Sequence, residues 1–229
     1  MIYVVKEQST PEDNTSPHLD NQGTKRVQDI VRALLYYDRS VENNLLVGLS
    51  SIGLQQAAAT QHTNEAINQI LYYCATYPAD GILYCSSDMI LCAHSEAGFD
   101  NEIKGRSRSG ARIFPSENNA MPLWNGSVIT LSKIIKYVMS STSEAEFRAL
   151  FITAQEMVAM RQTLEEIKWP PPKSPLQRDN SAAAGVVNNT IVPRKLKTMD
   201  RRLQWLRCRE EQGQFWYYWA SGSLNWGGV

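Results

Sequence analysis

Acidic side chains fall at three places where a strand is expected to hand over to a helix. These are Glu96 in HSEAGF (94–99), Glu144 and Glu146 in SSTSEAEFRAL (140–150), and Asp179 in RDNSAA (178–183). Taken singly, each has an ordinary explanation. Glu96 suits a solvated loop, Glu146 suits the positive first turn of a helix, and Asp179 suits a helix N-cap. Their joint arrival at successive junctions favours a common site. The basic residues form two groups. Lys104, Arg106, Arg108 and Arg112 cluster on an expected hairpin. Arg194, Lys195, Lys197, Arg201, Arg202, Arg207 and Arg209 gather about a late helix, against Asp200, Glu210 and Glu211. Such patches neutralise phosphates, and the competing reading is an ordinary solvated face. The four cysteines, Cys74, Cys85, Cys92 and Cys208, form no C-x-x-C pair and have no histidine cluster beside them. A zinc site is therefore not expected, and free thiols in an intracellular chain are the better reading.

The elements that must position these residues begin after a polar, turn-rich leader over 1–24. Val27, Ile30, Val31, Leu34 and Leu35 fall at helical spacing, as do Ala66, Ile67, Ile70, Leu71 and Cys74, with Thr63 as candidate N-cap. Leu45 to Leu54 is apolar and reads as a third helix, so 25–80 forms a small helical subdomain. Beyond Asp80-Gly81 the pattern changes to short apolar runs: 82–84 with 89–92, 107–114 and 127–138 predict a three-stranded meander. A long helix follows, capped by Thr142 or Ser143 and stopped by the three prolines at 170–172. A short strand is expected at 176–178, a small helix after Asp179-Asn180, a basic helix over 197–211 and an aromatic strand over 215–219. Trp205, Phe215, Trp216, Tyr217 and Tyr218 read as core and strand packing. The order βββ-α-β-α-α-β indicates a mixed α+β or α/β domain over 81–229.

Composition narrows the class. The chain has 229 residues, with 23 basic and 23 acidic side chains and no net charge. A dedicated nucleic-acid binder is usually more basic, so any polyanion site has to be local. The start, MIYVVKEQSTPED, lacks a basic n-region and a long apolar core and does not read as a secretory signal. No apolar run reaches the ~20 residues of a membrane span. An intracellular protein, cytoplasmic or nuclear, is expected, with no membrane partner.

Several segments resemble the C-terminal part of copia-type retrotransposon polymerases. SSTSEAEFRAL is similar to the family's SST-E-A-E-Y-R-A-L, and KTMDRRLQWLR (197–207) to its K-H-I-D-I-R-Y-H-F-I-R. Upstream, VRALLYYDRSVENNLLVGLS (31–50) and HTNEAINQILYYCATYPADGILY (62–84) resemble the segments that follow the reverse transcriptase palm, its thumb and connection. The matches keep the family's order over about residues 23–228. The palm motif with its paired aspartates is absent, so reverse transcription by this chain alone is not expected.

The resemblance implies a ribonuclease H-like fold, βββαβα(α)β, behind the helical subdomain. It also implies a chemistry: two divalent cations, Mg²⁺ or Mn²⁺, about 4 Å apart, one activating water and the other stabilising the leaving oxygen. Four carboxylates, ordinarily Asp-Glu-Asp-Asp, hold them. Carried over, Glu96 stands where the family has its bridging Asp, and Glu146 and Asp179 are intact. The fourth position is Gly228, with Ala220 at the family's His. Glu96, Glu146 and Asp179 are thus the implied catalytic and metal-binding residues, and they should converge in space. The longer side chain of Glu96 displaces its carboxylate by about an ångström, enough to cost roughly a hundredfold in rate. Lys104, Arg106, Arg108, Arg112, Lys195, Lys197 and Arg201 are the implied contacts to an RNA–DNA hybrid or duplex. Three readings stay open: a catalytically impaired ribonuclease H-like domain with weak nucleic-acid binding, an active metal-dependent ribonuclease H, and a protein-interaction module on the same fold.

Overall fold

The computed structural model describes residues 14–119, 122–178 and 200–219, and the chain divides into two units, Glu12–Tyr84 and the part from Cys85 onward. In the first unit three helices, α1 (Asn21–Ser40), α2 (Leu46–Gln55) and α3 (Gln61–Thr76), bury Val27, Val31, Leu49, Ile52 and Ile67 against one another. Asp20 starts α1 by accepting a hydrogen bond from the Gly23 amide at 2.7 Å. Leu19 packs on the core and His18 bridges to Thr60. The expected leader therefore gives way to helix at Asn21, because Asp20 satisfies an otherwise orphaned amide. Thr60, not Thr63, caps α3, and Thr63 returns the bond to complete a capping box. The amide of Leu45, ahead of α2, is met from α1 by buried Asp38 at 2.7 Å.

The second unit is a five-stranded sheet. Its strands are β1 (Ile90–Glu102), β2 (Arg106–Ser116), β3 (Ile129–Val138), β4 (Ser174–Arg178) and β5 (Phe215–Trp219), in the order β3-β2-β1-β4-β5. The first three strands are antiparallel, whereas β4 lies parallel to β1 and β5 parallel to β4. Helix α4 (Thr142–Glu166) makes the crossover, and α5 (Asp200–Glu211) precedes β5. Three antiparallel strands, a helical crossover and two further parallel strands beyond the first constitute the ribonuclease H-like fold. Both helices lie on one face, where Leu91, Ile113, Phe147, Leu150, Met157, Leu203, Leu206 and Phe215 form the core.

Ser141 caps α4, one residue before the expected positions, and accepts from the Glu144 amide at 3.2 Å. Glu144 reaches back to the Ser140 amide and hydroxyl at 2.8 and 2.7 Å, so it serves the helix end. After α4, Arg161 clamps the proline run: its guanidinium donates to Pro172 O at 2.6 Å, Ser174 Oγ at 2.7 Å and Pro171 O at 3.0 Å.

Two expectations change. Residues 82–84 are not a strand; the Ile82 amide bonds Val41 O at 2.6 Å in the helical unit, and Leu83 and Tyr84 are exposed. HSEAGF is no junction either. It lies inside β1, because β2 continues the ladder past it and sets Glu96 opposite Gly110. The small helix expected after Asp179 lies outside the described residues.

Candidate functional site

Glu96 projects from the central strand and is half-buried. Glu146 sits in the second turn of α4, 5% exposed, and its Oε1 accepts a hydrogen bond from the Ala97 amide at 3.1 Å. The helix carboxylate is thus anchored on the backbone beside Glu96. The contact follows from how α4 meets the sheet: Ala97 packs against Ala145 and Ala149, and Ser95 Oγ lies 3.2 Å from Thr153 Oγ1. Small side chains on both elements let helix and strand approach closely. Strand β4 runs beside β1, with Ala93 facing Leu176 and His94 facing Gln177, and ends at Arg178. Asp179, the next residue, and Gly228 lie outside the described residues.

The described carboxylates at this point of the fold are Glu146, hydrogen-bonded to the Ala97 amide, and Glu96, the strand residue before Ala97. Among the described residues no three His, Cys, Asp or Glu side chains gather as a metal site. Nor is there a thiol nucleophile here, since burial pushes the Cys92 thiol up to about 12.

The hairpin basic group is not one surface. Lys104 is exposed in the turn between β1 and β2, in the left-handed region at φ 65°. Arg106 is half-buried and donates to Ile103 O at 3.2 Å. Arg108, expected to contact phosphate, is corrected by the structure. It is 0% exposed, and it donates to Glu102 Oε1 at 2.5 Å and Ser132 Oγ at 2.7 Å. An inward-facing residue of an inner strand cannot reach a ligand outside. Arg112 lies over the Trp124 ring at 5.5 Å, on the face that buries His94 and Phe114. On α5, Arg201 is exposed, while Arg194, Lys195 and Lys197 lie outside the described residues.

Sequence reasoning missed Arg148 and its surroundings. Arg148 lies two residues after Glu146 on α4, with its Cζ 5.4 Å from the Phe151 ring centroid. Phe151 meets Trp205 of α5 edge-on at 5.2 Å, and Arg209 lies over Trp205 at 4.9 Å. The only available signal was that Arg148, Phe151, Arg202, Trp205 and Arg209 all sit on expected helices. Nothing in one dimension couples the two helices.

No protein-family model matches the chain. Over 143 residues it is 28% identical to the retrovirus-related Pol polyprotein from transposon TNT 1-94 of Nicotiana tabacum, which covers 62% of this chain. The match spans only 10% of that polyprotein. The N-terminal RNase H domain of a Mycobacterium tuberculosis protein aligns at 11% identity, over 60% of this chain and 86% of that one, with a TM-score of 0.43. LC11-RNase H1, isolated from compost and solved with an RNA/DNA hybrid, aligns at 10% identity over 59% and 88% of the two chains, with a TM-score of 0.44. The foamy viral protease-reverse transcriptase with double-stranded DNA aligns at 9% identity over 90% and 36%, with a TM-score of 0.47. The strand order β3-β2-β1-β4-β5, antiparallel over the first three strands and parallel beyond, is that of the ribonuclease H-like fold. The chain is thus similar to a part of a retrotransposon Pol polyprotein, and its sheet-containing unit has the ribonuclease H-like fold.

Proposed function

We propose that the chain is a catalytically impaired ribonuclease H-like domain of retrotransposon type that binds RNA–DNA hybrid or duplex nucleic acid weakly, in the cytoplasm or nucleus. One observation carries the reading: Glu146 Oε1 accepts from the Ala97 amide at 3.1 Å, so the helix carboxylate is set beside strand position 96. The layout of a carboxylate site survives there. Its composition does not, since position 96 is the longer Glu and position 228 is Gly. A carboxylate displaced by an extra methylene and a missing donor each weaken the hold on a cation whose geometry is strict. Binding without efficient cleavage then follows, because phosphate neutralisation needs only positive charge.

The test is a paired repair, Glu96→Asp with Gly228→Asp, on a labelled RNA–DNA hybrid with Mg²⁺ or Mn²⁺. The parent is expected to cleave little or not at all, and the repaired chain at least roughly a hundredfold faster. A parent that already cleaves at the repaired rate makes the active-enzyme reading the correct one. A parent without affinity for hybrid or duplex leaves the protein-interaction reading.

A further inference from the structure

Among the described residues, the seam between α4 and α5 holds positive charge that no ion pair answers. Arg148 is half-buried, and its Nε is shielded from solvent with no hydrogen-bond partner among the described residues. Arg202 stands half-buried in the first turn of α5. Among the described residues no ion pair involves either side chain. Glu144, four residues before Arg148, is turned to Ser140. Burial and the charge of nearby Arg202 pull the Arg148 guanidinium below its ordinary range. Arg202 stands three residues before Trp205 on α5, on the side that meets Phe151, so like charge gathers at this seam and an anion bound there lowers its cost.

The seam is also built stiffly. Arg148 lies on Phe151, Phe151 packs on Trp205, and Trp205 carries Arg209, with spacings of 5.4, 5.2 and 4.9 Å. Phe151 and Trp205 both border the main core, so the platform is anchored. A guanidinium stacked on a fixed ring loses less freedom when it binds an oxyanion than one on a free stem.

We infer that the α4–α5 seam is a phosphodiester contact for a nucleic-acid strand, with Arg148 and Arg202 as the anion-binding pair and the Phe151–Trp205 platform holding Arg148 in place. The inference rests on the nucleic-acid reading above and adds where the strand passes. The position selects the ligand. Arg148 is two residues from Glu146, an axial rise of about 3 Å, and points around the helix from it by about 200°. A strand that reaches both the carboxylate end and the seam therefore passes around the N-terminal half of α4. The chain has no net charge, so this local excess, not a general field, draws the phosphate.

The experiment titrates the full chain against a labelled RNA–DNA hybrid across a salt series, comparing the parent with Arg148→Gln/Arg202→Gln. The double variant is expected to bind roughly tenfold or more weakly at low salt, and its slope of log K against log salt is expected to fall by about two. Arg32→Gln, in the helical unit, controls for net charge and should leave both values unchanged. Should the double variant fail to fold, Arg202→Gln alone is read, with a slope lower by about one. A parent that binds hybrid while the folded variants match it in affinity and slope overturns the seam and leaves the nucleic-acid reading standing. A parent that binds neither hybrid nor duplex overturns both. Displacement of the hybrid by poly-glutamate at equal charge overturns the assignment to phosphate.

Discussion

The β1–β2 hairpin and the α4–α5 seam each bury an arginine, and they treat it in opposite ways. In the hairpin, Arg108 is fully enclosed, and Glu102 and Ser132 take up its donors. In the seam, Arg148 is only half-buried and rests on an aromatic ring, and the charge of Arg202 lowers its pKa. The residue type is the same, and so is its appearance as one more cation in a basic run. What differs is whether the fold supplies a counter-charge. Where it does, the arginine is structural and closed to ligands. Where no described residue does, the charge is the one proposed above to meet a ligand. His94 shows a third solution. It is 2% exposed beside Phe114, Trp124 and Arg112, and it stays neutral: burial first, then the charge of Arg112, lowers its pKa to about 4. An imidazole can shed its proton in this way, and a guanidinium cannot.

The hairpin should give the largest effect if this contrast is right. Arg108→Ala leaves Glu102 buried without its counter-ion and should destabilise the sheet unit by about 3–5 kcal/mol, measured by urea denaturation. A loss under about 1 kcal/mol would mean that the pair is not the closed structural element described here.

His94 should come next. Its folded pKa lies below the unfolded value of 6.5, so the unfolded chain binds the proton first as pH falls. Its contribution is fully present above pH 6.5 and is lost as pH drops from there towards about 4, on the order of 3 kcal/mol in total. Comparing the pH dependence of Tm for the parent and His94→Gln isolates this group. Parallel profiles across that window would show that His94 is not held neutral.

The smallest effect belongs to the seam. Arg148→Gln removes no ion pair and relieves repulsion from Arg202, so stability should change by no more than about 0.5 kcal/mol. Thermal unfolding checks it, and a loss near that of Arg108→Ala would erase the distinction between the two regions.

Much of the frame was readable before any coordinates. The aromatic run 215–219 is β5 residue for residue, since a run of bulky rings bounded by turn formers has little alternative to a strand. Helix α4 was expected to run through Trp169 to the prolines but ends at Glu166, and Glu144 belonged to the helix end, as its place two residues from Glu146 implied. Glu96 was found by resemblance and misread locally. The polar residues after Ala93 looked like the end of a strand, but pairing with β2 carried β1 on to Glu102. Strand pairing depends on a partner chain segment, which no local pattern reports.

The sequence by itself determined the residue types, the helical and strand periods, and the order of elements that makes this a ribonuclease H-like sheet. It also determined that position 96 is Glu and position 228 is Gly. Only the tertiary structure decided which charges face inward and which are answered. Arg106 and Arg108 are two residues apart and read alike. One lies half-buried near the turn, and the other is sealed against Glu102 and Ser132. Arg148 and Arg202 are far apart in the chain, and they come to one seam because Phe151 of α4 packs on Trp205 of α5. Charge is a property of a residue, but its energy depends on the dielectric and the partners around it, and those are set only when distant segments pack.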